Sequence, residues 1–302
     1  MCSIEKLAIG PISHGASPFW DNKILALYVS DLQLGNIFKH DYLTKENLQL
    51  SLDNLPVAFV IPILGQSNSF ICGEGTCIKK FDWDFLSNTA DNIYTLECLA
   101  ESDNQFIFGK CDACGRLWTG TGSTINFQGT EGCLYSFSNN SGLIRQAGDI
   151  YISSGVAWNL QNNKMFHSDP IQNSIEAYNF DITSGQLTNK QEVFDFKKNN
   201  VRGHPSGVAT DERGNLWISC YEGSQVVNIN PETGVQLSII QFPTNQLTSV
   251  TFGGRFLNEL YVTSAGYYFN VFDKNRYNDA GSVYRVKNLN VKGINMNEYL
   301  FC

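Results

Sequence analysis

The chain has 302 residues, and its 29 acidic side chains outnumber its 21 basic ones, which gives a formal net charge of −8. An acidic chain without a cluster of Lys and Arg lacks the charges that neutralise phosphates, so we expect no nucleic-acid partner. No run approaches about 18 consecutive apolar residues, and no signal peptide is recognised, so we expect no membrane partner. These features predict a soluble, cytoplasmic protein.

The nine cysteines are odd in number and lie in a large chain, which is not typical of a secreted disulfide scaffold. We therefore expect most of them to be reduced. Cys111 and Cys114 have the spacing of a redox or zinc pair. A zinc site needs a second pair, and Cys72 with Cys77 is the nearest candidate. The favoured interpretation is two unrelated thiols in a turn, with a regulatory disulfide as the alternative.

A polar turn followed by a strand that opens on an apolar–aromatic pair recurs along the chain. In the clearest copy the turn 211–215 precedes Leu216 and Trp217, and a small-residue loop at 204–207 comes before it. The aromatic member of the pair stands at Tyr28, Trp118, Phe166, Trp217 and Tyr261, with a weaker copy at Phe70. These positions define six units of roughly 45–50 residues, each with several short strands.

Six such units predict an all-β fold, a six-bladed β-propeller with four-stranded blades, in one domain spanning residues 1–302. The last predicted strand follows the sixth unit, so residues 1–14 are expected to complete the final blade. A pair of two-sheet sandwiches is the alternative. Helix is expected to be nearly absent, because turn formers interrupt the longest candidate, residues 82–95, and favour a strand plus a loop there.

Two runs in the second half, residues 207–233 and 247–266, resemble the senescence-marker-protein/gluconolactonase/luciferin-regenerating-enzyme family of regucalcin-like proteins. Residues 281–286 are similar to its insect luciferin-regenerating branch in particular, and residues 15–21 and 115–121 extend the resemblance to the first half. The resemblance implies a six-bladed propeller. It also implies a divalent ion, often calcium, at the mouth of the central channel, where many members hydrolyse lactones or related esters.

The family holds its ion with a Glu in a Gly-Glu-Gly-Pro loop, an Asn in a Ser/Ala-Asn-Gly loop and an Asp in a Pro-Asp-Gly loop. The matching positions here are Ala16, Ser154 and Ser206. Calcium takes six to eight oxygens, with carboxylates compensating its charge, and magnesium is also anchored by a carboxylate. Two hydroxyls and a methyl group do not replace these ligands. We therefore expect no cofactor, and calcium or another divalent ion only if the site is rearranged.

The substrate-side motif of the family carries an Asn and an Asp where this chain has Ile107 and Phe108, while Phe106, Gly109 and Lys110 are kept as framework residues. Joint loss of polar groups that would converge on one channel predicts a pocket that has become apolar. The ligand pocket is predicted to consist of Ala16, Phe19, Ile107, Phe108, Ser154, His204 and Ser206. No catalytic residue is expected.

Three functions follow from this pattern. The favoured one is a non-catalytic binder of a small apolar or aromatic ligand in the central channel. The second is a lactone or ester hydrolase of the same family with an altered divalent-metal site, and the third is a propeller for protein interactions. A nucleophilic Ser206 is disfavoured because its surroundings do not form a strand-to-helix elbow. His14 and His167 are expected to be structural, and Asp31 and Asp169 to cap loops.

Overall fold

The computed structural model describes residues 2–53, 55–100, 104–123, 129–266 and 279–301. These residues form six four-stranded antiparallel sheets, arranged as the blades of a six-bladed β-propeller. The predicted fold is confirmed. The described residues contain no α-helix, and hence no helix long and apolar enough to cross a membrane.

The strands in chain order are β1 (Ser3–Lys6), β2 (Gly15–Asp21), β3 (Ala26–Asp31), β4 (Asn36–Asp41), β5 (Asn47–Ser51), β6 (Val57–Pro62), β7 (Ser69–Glu74), β8 (Cys77–Asp84), β9 (Thr89–Cys98), β10 (Asn104–Cys111), β11 (Leu117–Ser123), β12 (Gly132–Ser138), β13 (Gly142–Ile150), β14 (Gly155–Trp158), β15 (Lys164–Asp169), β16 (Ser174–Phe180), β17 (Leu187–Asp195), β18 (His204–Thr210), β19 (Leu216–Tyr221), β20 (Gln225–Asn230), β21 (Val235–Gln241), β22 (Leu247–Gly253), β23 (Glu259–Ser264) and β24 (Val283–Lys287). Blades one to five are β2–β5, β6–β9, β10–β13, β14–β17 and β18–β21, each a simple meander. Blade six contains β22, β23 and β24, and β1 is its outermost strand. The six aromatic positions of the sequence repeat all lie on the second strand of their blade.

The N-terminal strand closes the ring. Strand β1 pairs with β24 in antiparallel register, from Ser3 opposite Lys287 to Lys6 opposite Tyr284. The first and last strands of the chain therefore share one sheet, and closing a ring of blades in this way protects sheet edges. The prediction that the N-terminal residues complete the final blade is confirmed.

The turn before the second strand is built in the same way in blades three and five. Asp211 accepts hydrogen bonds from the backbone N–H groups two and four residues later, both at 2.9 Å, and from the indole Nε1–H of Trp217 at 3.0 Å. Asp112 repeats this arrangement with Trp118, whose Nε1 lies 2.9 Å from the carboxylate. Both carboxylates are buried. One Asp therefore fixes the turn and orients the core Trp.

The first strand of each blade lies innermost, and neighbouring inner strands contact one another around the axis. Five of the six contain a register shift within a few residues of their start: between Ala16 and Phe19, Val57 and Phe59, Phe106 and Phe108, Pro205 and Val208, and Leu247 and Ser249. Such bulges leave a residue outside the hydrogen-bond ladder and re-aim side chains. We call the end at which the inner strands begin the mouth of the channel.

The C-terminal segment runs across the opposite end of the channel. It forms isolated bridges with three blades, pairing Gly293 with Asp211, Asn297 with Cys111, and Tyr299 with Ile63. Between these bridges the Met296 thioether accepts hydrogen bonds from the backbone N–H of Trp20 at 3.4 Å and from the hydroxyl of Thr251 at 3.0 Å. Met296 therefore covers the channel at the end away from the mouth.

Most of the described cysteines are free thiols, as expected, and two are joined. Cys77 and Cys98, opposite each other on β8 and β9, form a disulfide. Cys111 and Cys114 are both free, and burial, with a smaller effect of Asp112, raises the pKa of the Cys111 thiol. Within the described ranges, no three His, Cys, Asp or Glu side chains are grouped to hold a metal ion. The structure therefore gives no support to a zinc site at the Cys111–Cys114 pair.

The Asp turns generate a stability prediction. Replacing Asp211 with Ala leaves buried donors, including the Trp217 indole, without acceptors, so we expect the free energy of unfolding to fall by about 3 kcal/mol. Urea denaturation followed by tryptophan fluorescence measures this loss. The matched control is Asp181→Ala, because Asp181 accepts two backbone bonds in an exposed turn with no indole partner. Equal losses in the two variants would contradict the role given to the Trp bond.

Candidate ligand site in the central channel

A small cavity of about 30 Å³ lies on the channel axis. That volume holds two or three water molecules or the end of a ligand. Five of the six inner strands or the residues just before them contribute to its wall, and Met296 contributes from the C-terminal segment. The lining residues are 17–18, 108–110, 154–156, 207–208, 249–250 and 296.

Of the predicted pocket residues, Phe108 and Ser154 line this cavity. Ala16 and Phe19 do not, and both are buried in the hydrophobic core of blades one to three. The carbonyl of Ala16 accepts a hydrogen bond from the hydroxyl of Ser30 at 3.0 Å. The bulge between Ala16 and Phe19 instead turns the two intervening residues, 17 and 18, toward the channel.

The remaining predicted residues lie near the mouth but outside the cavity wall. Ile107 is the residue left unpaired by the bulge in β10, and it is half-buried against the core. His204, also half-buried, begins β18 opposite Tyr221. Ser206 donates its hydroxyl to the carbonyl of Thr248 at 2.7 Å. Its hydroxyl therefore links blade five to blade six.

The residues at the three family metal positions do not fit a divalent ion. Ala16 has no side-chain oxygen, and Ser206 offers one neutral hydroxyl, whose hydrogen is donated to the carbonyl of Thr248. Ser154 offers one neutral hydroxyl. Calcium and magnesium need several oxygens with carboxylate charge among them, and none of these three side chains carries a negative charge. We therefore derive no chemical step through a metal at this site.

The charged group of the cavity is Lys110, which the family resemblance implies to be a framework residue. Lys110 extends from the inner strand of blade three, past blade four, and donates from Nζ to the carbonyl of Val208 in blade five at 3.1 Å. Its side chain keeps some accessible surface because it faces the cavity, while protein surrounds it on all sides. The group thus spans the channel.

Burial lowers the pKa of Lys110 to about 8, and it is the sole cause of the shift. The ammonium form therefore still predominates at pH 7. Within the described parts of the chain, no Asp or Glu forms an ion pair with Lys110. A buried, unpaired charge is costly unless other groups stabilise it.

Three serine hydroxyls in the wall complete the polar part of the cavity: those of Ser17, Ser154 and Ser249. The Ser17 hydroxyl accepts the backbone N–H of Gly109 at 3.2 Å, which ties blade one to blade three. Ser17 has a φ of 40°, in the left-handed region that non-glycine residues rarely adopt. Such strain at a bulge is common in functional sites, and here it accompanies the exposure of Ser17 to the channel.

A Ser–His–Glu arrangement lies beside the channel. The Ser153 hydroxyl and His167 Nε2 are 2.8 Å apart, and His167 Nδ1 is 3.7 Å from a Glu176 carboxylate oxygen. Burial would raise the pKa of Glu176, but the interactions with His167 and Lys190 outweigh it and hold that pKa below its usual range. Ser153 has no exposed surface and does not line the cavity. A substrate therefore has no access to this hydroxyl, and the contacts are structural.

The two acidic residues near the mouth also have structural roles. Asp31 accepts backbone N–H bonds from Ser13 and His14 at 2.7 and 3.1 Å, and from its own turn. Asp169 accepts the N–H of Tyr151 at 2.9 Å and two N–H groups of the following turn. Both carboxylates are buried caps of loops, as the sequence predicts.

The sequence holds one signal that points to Lys110. It stands two residues after Phe108 on the same strand, and alternate residues of a strand share a face. Phe108 and Lys110 therefore share one face of the strand, because the bulge at Ile107 lies before both and the pairing from Phe108 to Lys110 is regular. No sequence pattern points to Ser17 or Ser249, because a β-bulge determines which of two adjacent residues faces the channel.

Known proteins resemble this chain over almost its full length. Residues 14–266 match the family model described as SMP-30/Gluconolactonase/LRE-like region. Regucalcin of Danio rerio is 30% identical over 281 residues, covering 93% of this chain and 92% of the relative. Regucalcin of Homo sapiens is 29% identical over 288 residues with the same coverage.

Solved structures agree with these relatives. A luciferin-regenerating enzyme superposes with a TM-score of 0.94 at 31% identity, covering 99% of this chain and 100% of the other. A calcium-binding regucalcin of Agrobacterium tumefaciens superposes with a TM-score of 0.88 at 16% identity, covering 99% and 97%, which supports the fold. The resemblance inferred from the sequence, including that to the luciferin-regenerating branch, is confirmed. The chain belongs to the SMP-30/gluconolactonase/LRE-like family.

Proposed function

We propose that this chain is a metal-ligand-deficient, non-catalytic member of its family that binds a small apolar or aromatic molecule at the central channel. The observation that carries the proposal is the absence of a carboxylate or amide from the three family ligand positions, Ala16, Ser154 and Ser206. Metal-activated water requires the metal, so the family's hydrolytic route lacks its first component here. The propeller and its channel are nevertheless intact.

The shape of the channel limits how such a ligand binds. The cavity of about 30 Å³ admits only one end of an aromatic molecule, so its apolar body lies toward the mouth. Phe108 and Val156 supply apolar surface within the wall, and Ile107 lies half-buried nearby. Pockets of this kind bind through apolar contact and take their specificity from a few polar groups. Ser154 is placed to act as such a group.

Blocking the channel tests the binding function. Ser154→Phe puts a large side chain into the cavity wall, so we expect it to abolish binding of small aromatic compounds in saturation-transfer NMR. Ser184→Phe, on an exposed turn, is the control and is expected to bind as the unaltered protein does. If a folded Ser154→Phe protein binds the same compounds with unchanged affinity, the channel is not the site.

Calcium binding tests the loss of the metal site. We expect isothermal titration to show no saturable binding of calcium at micromolar concentration. The variant carrying Ala16→Glu, Ser154→Asn and Ser206→Asp introduces the family ligand types at the matching positions. Because Ala16 is buried in the core, circular dichroism first checks that this variant folds, and the folded variant is expected to bind calcium. At a calcium concentration about 100 times the dissociation constant, binding stabilises the variant by about 2.7 kcal/mol.

The control for this gain is the neutral counterpart, Ala16→Gln, Ser154→Asn and Ser206→Asn. It has similar volume and also replaces the Ser206 hydroxyl that donates to Thr248, but it lacks the two carboxylates. Calcium is therefore expected to leave its melting temperature unchanged. Micromolar calcium binding by the unaltered protein that disappears in Ser206→Ala would overturn the proposal.

A lactone and ester panel separates the binder from the alternative, a hydrolase with an altered divalent-metal site. We expect no turnover above the uncatalysed rate, with or without a chelator. Turnover that a chelator removes and a divalent ion restores would favour the hydrolase. The Ser154→Phe variant serves as the blank, because any channel-based activity must be lost in it.

A further inference from the structure

Lys110 is a buried cation with unfilled hydrogen-bonding capacity. An ammonium has three N–H donors, and the Nζ of Lys110 uses one of them on the carbonyl of Val208. No other hydrogen bond and no ion pair of its Nζ is present in the described ranges of the chain. The other donors are therefore available to a group in the cavity that Lys110 lines.

The remaining wall of the cavity carries no charge to balance this cation. None of the other twelve lining residues has a titratable side chain, and they come from five inner strands, the residue before one of them and the C-terminal segment. The hydroxyls of Ser17, Ser154 and Ser249 have no acceptor for their hydrogens in the part of the chain that the structure describes. The wall thus presents an ammonium and three O–H donors.

We propose that the cavity is an anion site in which Lys110 binds the carboxylate of a monocarboxylic acid. The three serine hydroxyls surround it as further donors. A carboxylate neutralises the buried charge and also accepts several hydrogen bonds. Water and neutral amides accept hydrogen bonds but bring no negative charge. Where the acid has an apolar or aromatic body, this inference rests on the proposed function and names the chemical class of its ligand.

The size of the cavity supports a carboxylate head group. A volume of about 30 Å³ accommodates the three heavy atoms of such a group but not a second charged group or a ring. The carboxylate has two sources: a free small acid such as formate, or the acid end of a larger molecule such as benzoate. In the second case the ring lies toward the mouth.

The test measures binding of benzoate, its neutral analogue benzamide, and formate by isothermal titration. The variant is Lys110→Met, which removes the charge but keeps most of the side-chain volume. It is expected to fold, because replacing a buried unpaired charge with an apolar group relieves a cost. Lys164→Met is the control, since Lys164 pairs with Glu232 on the surface.

We expect Lys110→Met to weaken benzoate binding about 10- to 100-fold, while Lys164→Met leaves it unchanged. Benzamide is expected to bind the unaltered protein more weakly than benzoate and to be insensitive to Lys110→Met. Benzoate affinity should also fall as the pH rises above about 8, where Lys110 loses its proton, and this slope should vanish in Lys110→Met. Equal benzoate affinity in the two proteins would overturn the anion site.

The three probes distinguish a failure of this inference from a failure of the proposed function. If benzamide and benzoate bind with equal affinity and Lys110→Met changes neither affinity, the anion site is refuted. The proposed function as a binder of apolar molecules then still stands. Binding of formate but of neither aromatic compound supports the anion site and contradicts an aromatic ligand. Failure of all three probes, in protein whose folding circular dichroism confirms, refutes the anion site for both sources.

Discussion

The ring of six blades closes around one axis, and the room left between the inner strands governs the rest of the structure. At Gly207 an added Cβ would lie 2.5 Å from the Cα of Ser249, so the inner strands of blades five and six approach as closely as glycine permits. Blades three and five are joined across the channel by Lys110, and the C-terminal segment covers the far end. What remains is a small cavity of about 30 Å³ between the inner strands.

The charge in the channel is positive, whereas a cation site carries negative charge. The family positions for a divalent ion hold Ala16, Ser154 and Ser206, which contribute no negative charge. Lys110 is retained, so its ammonium is the charge that the described cavity wall presents. Under the proposal made above, a propeller that keeps its scaffold but has no carboxylates at these positions suits an anion better than a metal ion.

The fold could be predicted because the repeat is local. Each unit repeats a polar turn and an apolar–aromatic pair, and the contacts that fix the turn, such as Asp211 with Trp217, lie within a few residues. The site was harder to predict because it depends on bulges. A bulge moves side chains from one face to the other, so Ser17 faces the channel while its neighbour Ala16 is buried in the core.

The sequence by itself determined the six-bladed fold and the closing role of the N-terminal strand, because each follows from residue identity at a recognisable place in a repeat. Only the tertiary structure decided which side chains meet on the axis. Lys110 acquires its partner from a residue 98 positions away in another blade, and its charge is unpaired because of what surrounds it in space. Neither burial nor the absence of a nearby carboxylate can be read from one strand.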